Sequence, residues 1–292
     1  MAKFHGTKIN PDRFSTGQIK FYLILLPVAI FMILPVIYVV NQAFKPIDEL
    51  LLFPPRFLVQ KPTADNFSDL WRTASTTGVP MTRYLFNSIL VTILTVVLTI
   101  MITVSSAYVL SKKKLKANKV LLGINQAALM FVPIAVIIPR YFVITTTGMN
   151  DTMWAHIIPL LAMPVGLFLV KQFVDQVPDA LIEAARIEGA NDFKILTKII
   201  MPLTKPAIAT VAILTFQVVW NYTESSSLYI SNETLKTFAF YLGSLTARAQ
   251  GNAVAGIGMA AAASLILFIP NLIIFIIMQS NVMDTMGHSG IK

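Results

Sequence analysis

The chain has 292 residues, of which 55% are hydrophobic and only 13% are charged. Soluble domains carry about 25% charged residues, so this composition excludes an ordinary soluble domain and indicates a protein of the lipid bilayer. The formal net charge is +9, and because the basic residues flank apolar blocks, we expect anionic lipid headgroups rather than nucleic acid as their partners.

Six apolar segments are each long enough to cross a bilayer, which takes about 20 helical residues. The predicted spans are at about residues 21–43, 84–110, 119–144, 153–174, 204–223 and 253–279. The first is too long for the core of a signal sequence and is not followed by a cleavage site of small residues, so we expect it to be retained. The predicted fold class is all-α, a polytopic membrane protein with six transmembrane helices.

The lysine and arginine residues predict the orientation of these spans, because they concentrate on the cytoplasmic side of a membrane. With the N-terminus inside, fifteen of the 23 fall on the inner side, including a compact cluster at 112–119. We therefore predict that both ends of the chain are cytoplasmic. The predicted parts are a cytoplasmic tail at 1–20, a six-helix transmembrane domain at 21–280 and a cytoplasmic tail at 281–292, with external loops at 44–83 and 222–252 and a cytoplasmic loop at 175–203.

Motifs for catalysis are missing from the sequence. It has no phosphate-binding loop, no zinc-binding His-Glu-x-x-His, no Gly-x-Ser-x-Gly and no cysteine, and its three histidines are widely separated. We therefore expect neither an enzyme nor a metal site. The spans also contain no Asp or Glu. Ion-coupled transporters usually need carboxylates within the membrane, so their absence argues against an ion-coupled transporter, which is the alternative hypothesis from a different class of protein.

The cytoplasmic loop 175–203 carries the most informative pattern. Pro178 and Asp179 suit a helix start, Gly189 suits its end, a second short helix should begin near Asp192, and Pro202 should start the next span. An amphipathic hairpin lying on the membrane would explain the charges and the apolar face. It would not explain a smooth knob of small residues with a charged rim, which comprises Glu183, Ala184, Ala185, Arg186, Glu188 and Gly189.

This loop resembles the EAA loop of ABC importer permeases. The resemblance rests on Glu183-Ala184-Ala185, on Gly189 after three intervening residues, on Ile199-x-x-Pro202 and on the position between the fourth and fifth spans. Further stretches are similar to sugar permeases of the MalG type, namely Tyr84-Leu-Phe-Asn-Ser-Ile-Leu-Val91, Trp220-Asn221 and Thr234-Leu235. The resemblance extends to the second permease of alginate and other oligosaccharide importers.

The resemblance implies a type I importer permease of MetI-like architecture in the bacterial inner membrane. Such a chain is one permease subunit of an ATP-driven, binding-protein-dependent importer of sugars or oligosaccharides. Its expected partners are a second permease, two ATPase subunits that hold ATP and Mg, and an extracytoplasmic solute-binding protein. The loop would dock on an ATPase subunit as a coupling helix. The same architecture for a non-sugar solute, such as a peptide or polyamine, is the alternative.

Sugar sites combine aromatic faces with hydrogen-bonding groups. The candidates for a substrate pathway are Gln217, Trp220, Asn221 and Tyr222 at the end of the fifth span, with Arg140 and Tyr141 on the third. An interfacial aromatic belt explains the same residues. By resemblance, the candidates for contact with the binding protein are Ser225, Ser226, Ser227, Asn232 and Thr234.

Overall fold

The structure, a computed structural model, describes residues 18–72, 78–113, 115–252 and 254–289, without the side chains of 248–255 and 278–289. All regular structure in these ranges is helical. The α-helices are α1 Ile19–Phe44, α2 Ile47–Leu50, α3 Asp65–Arg72, α4 Met81–Lys112, α5 Asn118–Met130, α6 Ile137–Thr146, α7 Trp154–Leu161, α8 Pro164–Asp175, α9 Asp179–Ile187, α10 Asp192–Ile195, α11 Met201–Leu203, α12 Lys205–Trp220, α13 Glu224–Leu228, α14 Phe238–Asn252 and α15 Val254–Ser289. Short 3₁₀ helices cover Pro133–Val136 and Glu233–Leu235, and a π-helix covers Leu196–Ile200.

The membrane spans are of two kinds. In the described part of the chain, three helices are long and apolar enough to cross a bilayer, namely α1, α4 and the Gly256–Ile277 part of α15. Three bent pairs pass the same test: Asn118–Met130 with Pro133–Thr146, Trp154–Leu161 with Pro164–Asp175, and Asp192–Leu203 with Lys205–Leu228, at 111°, 47° and 84°. Counting each pair as one span gives six, which agrees with the predicted all-α fold.

Proline accounts for the breaks in the bent pairs. Pro133 and Pro164 follow the first two breaks directly, and Pro206 lies in the first turn after the third. Proline disfavours helical conformation in the residue before it and cannot donate the hydrogen bond that a continuing helix needs. Pro27 and Pro35 of α1, in contrast, lie inside a continuous helix.

The chain divides into two compact units. One comprises Met1–Asp69 with Arg248–Leu265, and the other comprises Leu70–Ala247 with Ile266–Lys292. In the first, the amide of Asn66 donates to the carbonyls of Ala43 and Lys45, at 2.9 and 2.7 Å. A side chain at Gly258 would lie 2.2 Å from the Asn66 amide oxygen, so glycine is what leaves room for this contact.

Helix α4 is the centre of the second unit, where it packs against α7, α8 and α12. Its inner face carries buried threonines at helical spacing, Thr92, Thr95, Thr99 and Thr103. Such small side chains let membrane helices approach closely. Towards the end of α4, Ala107 and Tyr108 join an apolar cluster with Ile182 and Ile195. The core therefore connects the predicted coupling loop directly to a membrane-spanning helix.

Some predictions of local structure need correction. Pro202 does not begin the next long helix, because the chain passes through the π-helix and α11 before α12 begins at Lys205. Helix α15 continues to Ser289, while its membrane-spanning part, Gly256–Ile277, agrees with the predicted span at 253–279. Most of the predicted N-terminal tail, Lys114 of the basic cluster and the end of the C-terminal tail lie outside the described residues.

Candidate functional site

The predicted coupling loop folds as two short helices around a glycine turn. Helix α9 begins after Pro178 and ends at Ile187, and Gly189 has a φ of +81°. The Ala190 amide donates to the Ala185 carbonyl at 2.9 Å, the bond that closes a Schellman motif around a left-handed residue. On the far side of the turn, the Asn191 side chain caps α10 by accepting from the Lys194 amide at 2.8 Å.

The loop has an anchored face and an open face. Ile182, Ile195 and Ile200 are buried in the core. On the open face, Ile187 is 88% exposed and Phe193 is 71% exposed. Two large apolar side chains held in water by an otherwise well-packed loop indicate a surface that another protein covers.

Ion pairs fasten this loop to the end of α4, in an arrangement that we call the coupling-loop clamp. Lys112 Nζ lies 2.8 Å from Asp179 Oδ1 and donates to the Val177 carbonyl at 2.6 Å. Lys113 Nζ lies 2.7 Å from Asp192 Oδ2. The clamp consists of Tyr108, Lys112, Lys113, Asp179, Arg186 and Asp192.

Asp192 is the centre of the clamp. It accepts from Lys113 and from the Tyr108 hydroxyl, the latter at 3.0 Å, and Arg186 lies 3.6 Å away. One carboxylate thus joins α4 to both short helices. An open polar recess of about 380 Å³ lies between the end of α4 and α9. It is lined by Lys112, Lys113, Asp179, Ile182, Glu183 and Arg186. Its charged rim suits an ionic group of a partner.

The predicted coupling residues from Glu183 to Gly189 lie along α9 and its turn, whereas Pro202 lies beyond the π-helix, in α11. Glu183, Ala184, Arg186, Glu188 and Gly189 are exposed and Ala185 is half-buried. Sequence reasoning missed the roles of Tyr108 and Asp192, and it used Lys112 and Lys113 only as markers of orientation. The spacing of these lysines from the loop, about 65 residues, carried no signal for the contact.

A second polar cluster surrounds residues 222–237. Arg140 Nη1 donates to the Tyr222 hydroxyl at 2.8 Å and to Glu224 Oε1 at 3.1 Å. The Tyr229 hydroxyl donates to the same carboxylate oxygen at 3.0 Å. Burial and the neighbouring Glu224 carboxylate raise the pKa of Tyr229 to about 12, so this hydroxyl remains a donor at neutral pH.

His156 of α7 forms hydrogen bonds with this segment. Its Nδ1 lies 2.7 Å from the Ser225 hydroxyl, and its Nε2 lies 3.0 Å from the Leu235 carbonyl. Because a carbonyl can only accept, the proton belongs on Nε2 and the serine donates to Nδ1. Asp151, whose φ is +56°, accepts from the amides of Ser231 and Asn232 at 2.5 and 2.8 Å.

The start of α4 completes this arrangement, which we call the loop frame. The Asn87 amide donates to the carbonyls of Thr234 and Lys236 at 2.8 and 2.9 Å. The Ser88 hydroxyl accepts from the Phe238 amide at 2.8 Å. The loop frame consists of Asn87, Ser88, Arg140, Asp151 and His156.

The substrate-pathway candidates have different surroundings. Trp220 is buried and its indole donates to the Leu267 carbonyl at 2.9 Å. Asn221 is exposed and its amide donates to the Gln217 carbonyl, also at an exposed position. Tyr222 is paired with Arg140, as described above. Tyr141 packs near Tyr229, with ring centroids 6.3 Å apart.

The candidates for contact with a binding protein divide in the same way. Ser225 and Ser226 are buried, the latter 3.1 Å from the Thr237 hydroxyl. Ser227, Asn232 and Thr234 are exposed. Only these three side chains of the set are available to a partner. Within the described residues, no group of three His, Cys, Asp or Glu side chains is placed to hold a metal ion.

A helical membrane chain with this loop between its fourth and fifth spans defines a class of transport subunit. The chain belongs to the family of binding-protein-dependent transport system inner membrane components, whose model matches residues 104–282. It is therefore a multi-pass membrane protein of the ABC importer permease class.

Individual relatives align over nearly the whole chain. The inner membrane ABC transporter permease protein YcjP of Escherichia coli is 26% identical over 278 residues, which cover 94% of this chain and 97% of the relative. The galactooligosaccharides transport system permease protein GanQ of Bacillus subtilis is 26% identical over 274 residues, 93% of this chain and 94% of the relative. The crystal structure of a bacterial ABC transporter that imports alginate contains a chain with a TM-score of 0.78 and 21% identity, covering 92% of this chain and 98% of that one.

Proposed function

We propose that this chain is one permease subunit of an ATP-driven importer of sugars or oligosaccharides. In this assignment both ends of the chain are cytoplasmic, a second permease completes the translocation pathway, and a solute-binding protein delivers the sugar. Two ATPase subunits hold ATP and Mg, so this chain supplies no catalytic residue. The loop that contains α9 docks on one of these ATPase subunits.

The observation that carries this proposal is the open face of α9. Glu183, Ala184 and Ile187 are exposed on a helix whose opposite face is buried through Ile182. Small and apolar side chains allow a partner surface to approach closely, and the charged rim gives the contact its register. The clamp then passes movement of α9 to α4, because Lys112 and Lys113 lie at the end of that helix.

A carbohydrate is the solute that the relatives support. GanQ, which aligns over almost all of this chain, is a permease for galactooligosaccharides. The exposed amides of Gln217 and Asn221 supply hydrogen-bonding groups of the kind that sugars need. An importer of peptides or polyamines of the same architecture is the competing proposal, and uptake assays with labelled solutes of each class separate the two.

The docking proposal is tested by Glu183→Lys in the assembled transporter reconstituted in vesicles. We expect sugar uptake to fall roughly tenfold or more, the factor that corresponds to about 1.4 kcal/mol of lost docking energy. The membrane domain should remain folded, since Glu183 is exposed. ATP hydrolysis and sugar uptake are measured together, because loss of coupling changes their ratio.

The matched control is Asp69→Lys, which makes the same change of charge at an exposed position remote in sequence from the loop. It should leave both uptake and ATP hydrolysis unchanged. Normal uptake by the Glu183→Lys transporter would contradict docking through α9. Labelling of residues 180–200 from the extracytoplasmic side would contradict the proposed orientation as well.

A further inference from the structure

A short segment after the first helix exposes an unusual number of apolar side chains. Phe53 is 96% exposed, Leu58 is 62% exposed and Leu51 is 60% exposed. The complete set of large apolar residues in the segment 51–58 is Leu51, Leu52, Phe53, Phe57 and Leu58, and all five are exposed. Isolated exposed apolar residues are ordinary, but a contiguous group marks a surface that is covered in the working protein.

The segment folds back along α1 rather than extending away from it. The rings of Tyr38 and Phe57 have centroids 5.8 Å apart, and the Val59 amide donates to Asn41 Oδ1 at 2.9 Å. Tyr38 precedes the end of α1 at Phe44 by a turn and a half, about 9 Å along the helix axis. The segment therefore lies beside the last turns of an apolar span.

Every residue of that span from Ile19 to Pro35 is exposed. Its most apolar stretch has a mean hydropathy of 2.9, and none of that stretch is buried within the protein. Lipid is the environment that such a surface requires. The exposed side chains of 51–58 add to this apolar surface beside the last turns of the helix.

The segment is held in place by polar contacts at its base. The buried Lys45 ammonium donates to the Arg56 carbonyl. The Glu49 carboxylate accepts from the amides of Gln60 and Lys61, at 3.0 and 2.7 Å, and these amide bonds lower the pKa of Glu49. These contacts of Lys45 and Glu49 hold the segment that carries Phe53 in a defined position.

The backbone and the composition of the segment 51–58 indicate how deeply it can lie in the membrane. Its backbone is irregular from Leu51 to Gln60, and irregular backbone that faces lipid cannot enter the hydrocarbon core, because its polar groups need water or headgroups. Aromatic side chains beside a basic residue suit the headgroup layer, where the exposed Arg56, whose guanidinium donates to the Gln60 side chain, is placed to reach lipid phosphate.

We propose that residues 51–58 form a shallow membrane anchor that inserts Phe53 and Leu58 into the interfacial layer of the bilayer at the C-terminal end of α1. The ligand is a phospholipid surface. The anchor fixes the level of the first helix in the membrane. This inference does not depend on the solute that the protein transports.

The test uses single cysteines, which the chain permits because it contains none of its own. Phe53→Cys and Leu58→Cys carry a nitroxide in the full chain and in the assembled transporter, with partner subunits freed of cysteine. Both are placed in vesicles of phosphatidylethanolamine and phosphatidylglycerol. Collisions with oxygen, which partitions into lipid, are compared with collisions with a water-soluble nickel chelate. Ser68→Cys, at an exposed polar position of the same unit, is the matched control.

We expect the labels at residues 53 and 58 to favour oxygen at a depth close to the headgroups, in the chain alone and in the transporter, while the label at residue 68 favours the nickel chelate. An aqueous pattern at residue 53 like that at residue 68 would overturn the proposal. Protection from both reagents only in the assembled transporter would assign the surface to a partner subunit instead. Protection only on addition of the solute-binding protein would assign it to that protein.

Discussion

The coupling-loop clamp and the loop frame fasten two segments of the same unit by different physical means. The clamp uses ion pairs that water reaches: the side chains of Asp179 and Asp192 are 74% and 56% exposed. The loop frame relies mainly on hydrogen bonds made by buried side chains such as Asn87 and His156, which are 0% and 1% exposed, together with the half-buried ion pair between Arg140 and Glu224.

This difference matters for movement. Exposed ion pairs contribute little and are screened by salt, so they can break and re-form at small cost. A buried hydrogen-bonding group that loses its partner costs about 1–3 kcal/mol, so the frame resists opening. We infer that the segment 222–237 moves as part of the membrane domain, whereas the ion pairs of the clamp can re-form while α9 passes its movement to α4, as proposed above.

His156→Ala is the strongest test of the claim that buried hydrogen bonds hold the loop frame together. The change removes two buried hydrogen bonds and leaves a cavity, so we expect a loss of about 3 kcal/mol in the free energy of unfolding. Thermal unfolding of the purified transporter measures it. Ile89→Ala, on an exposed position of α4, is the control and should have a much smaller effect. Equal losses of stability in the two variants would contradict a stabilising role for the hydrogen bonds of the loop frame.

Glu224→Gln tests the charged part of the loop frame. It keeps an acceptor for Tyr229 but leaves the half-buried Arg140 without its compensating charge, so we expect a loss of about 2 kcal/mol. Glu188→Gln, the same change at an exposed position, should cost almost nothing. The melting temperatures of the two variants are compared. If Glu224→Gln matched the control, Arg140 would not depend on this pair.

Gly189→Ala probes the turn of the coupling loop. A Cβ at this position meets nothing within 4 Å, so the cost comes only from the left-handed backbone and should be about 1 kcal/mol. Gly189→Asn should cost less, since asparagine tolerates this conformation. Thermal unfolding separates the two. An unaltered alanine variant would show that the turn relaxes without strain.

Lys113→Ala should have the smallest effect on stability and a specific effect on coupling. Its ion pair with Asp192 is exposed, so we expect the melting temperature to change by less than about 2 °C. Uptake per ATP hydrolysed should fall, because one link between the loop and α4 is lost. Lys198→Ala, at an exposed position in the π-helix, is the control. A large thermal shift, or coupling equal to that of the control, would contradict the clamp.

The limits of some helices could be predicted from the residues, whereas the burial of several candidate side chains could not. The limits of α9 followed from Pro178 and Gly189, because proline and glycine restrict the backbone locally. Pro202 was wrongly predicted to start the fifth span, since a proline tolerated inside a short helix looks in sequence like one that begins a long helix, although the predicted span at 204–223 begins within one residue of α12. Burial of Trp220 and Ser225 was also not predicted, since side chains of helix ends face water or protein according to distant neighbours.

The sequence by itself determined that the chain spans a membrane, where its six apolar segments lie and which loop has small residues between charges, because these properties depend on composition and on neighbours along the chain. Only the tertiary structure decided that Lys113 meets Asp192, that Asn87 supports the segment after Thr234, and that Phe57 folds back onto Tyr38. Each of these contacts depends on how helices pack and how the chain turns back, and no local pattern of residues encodes that geometry.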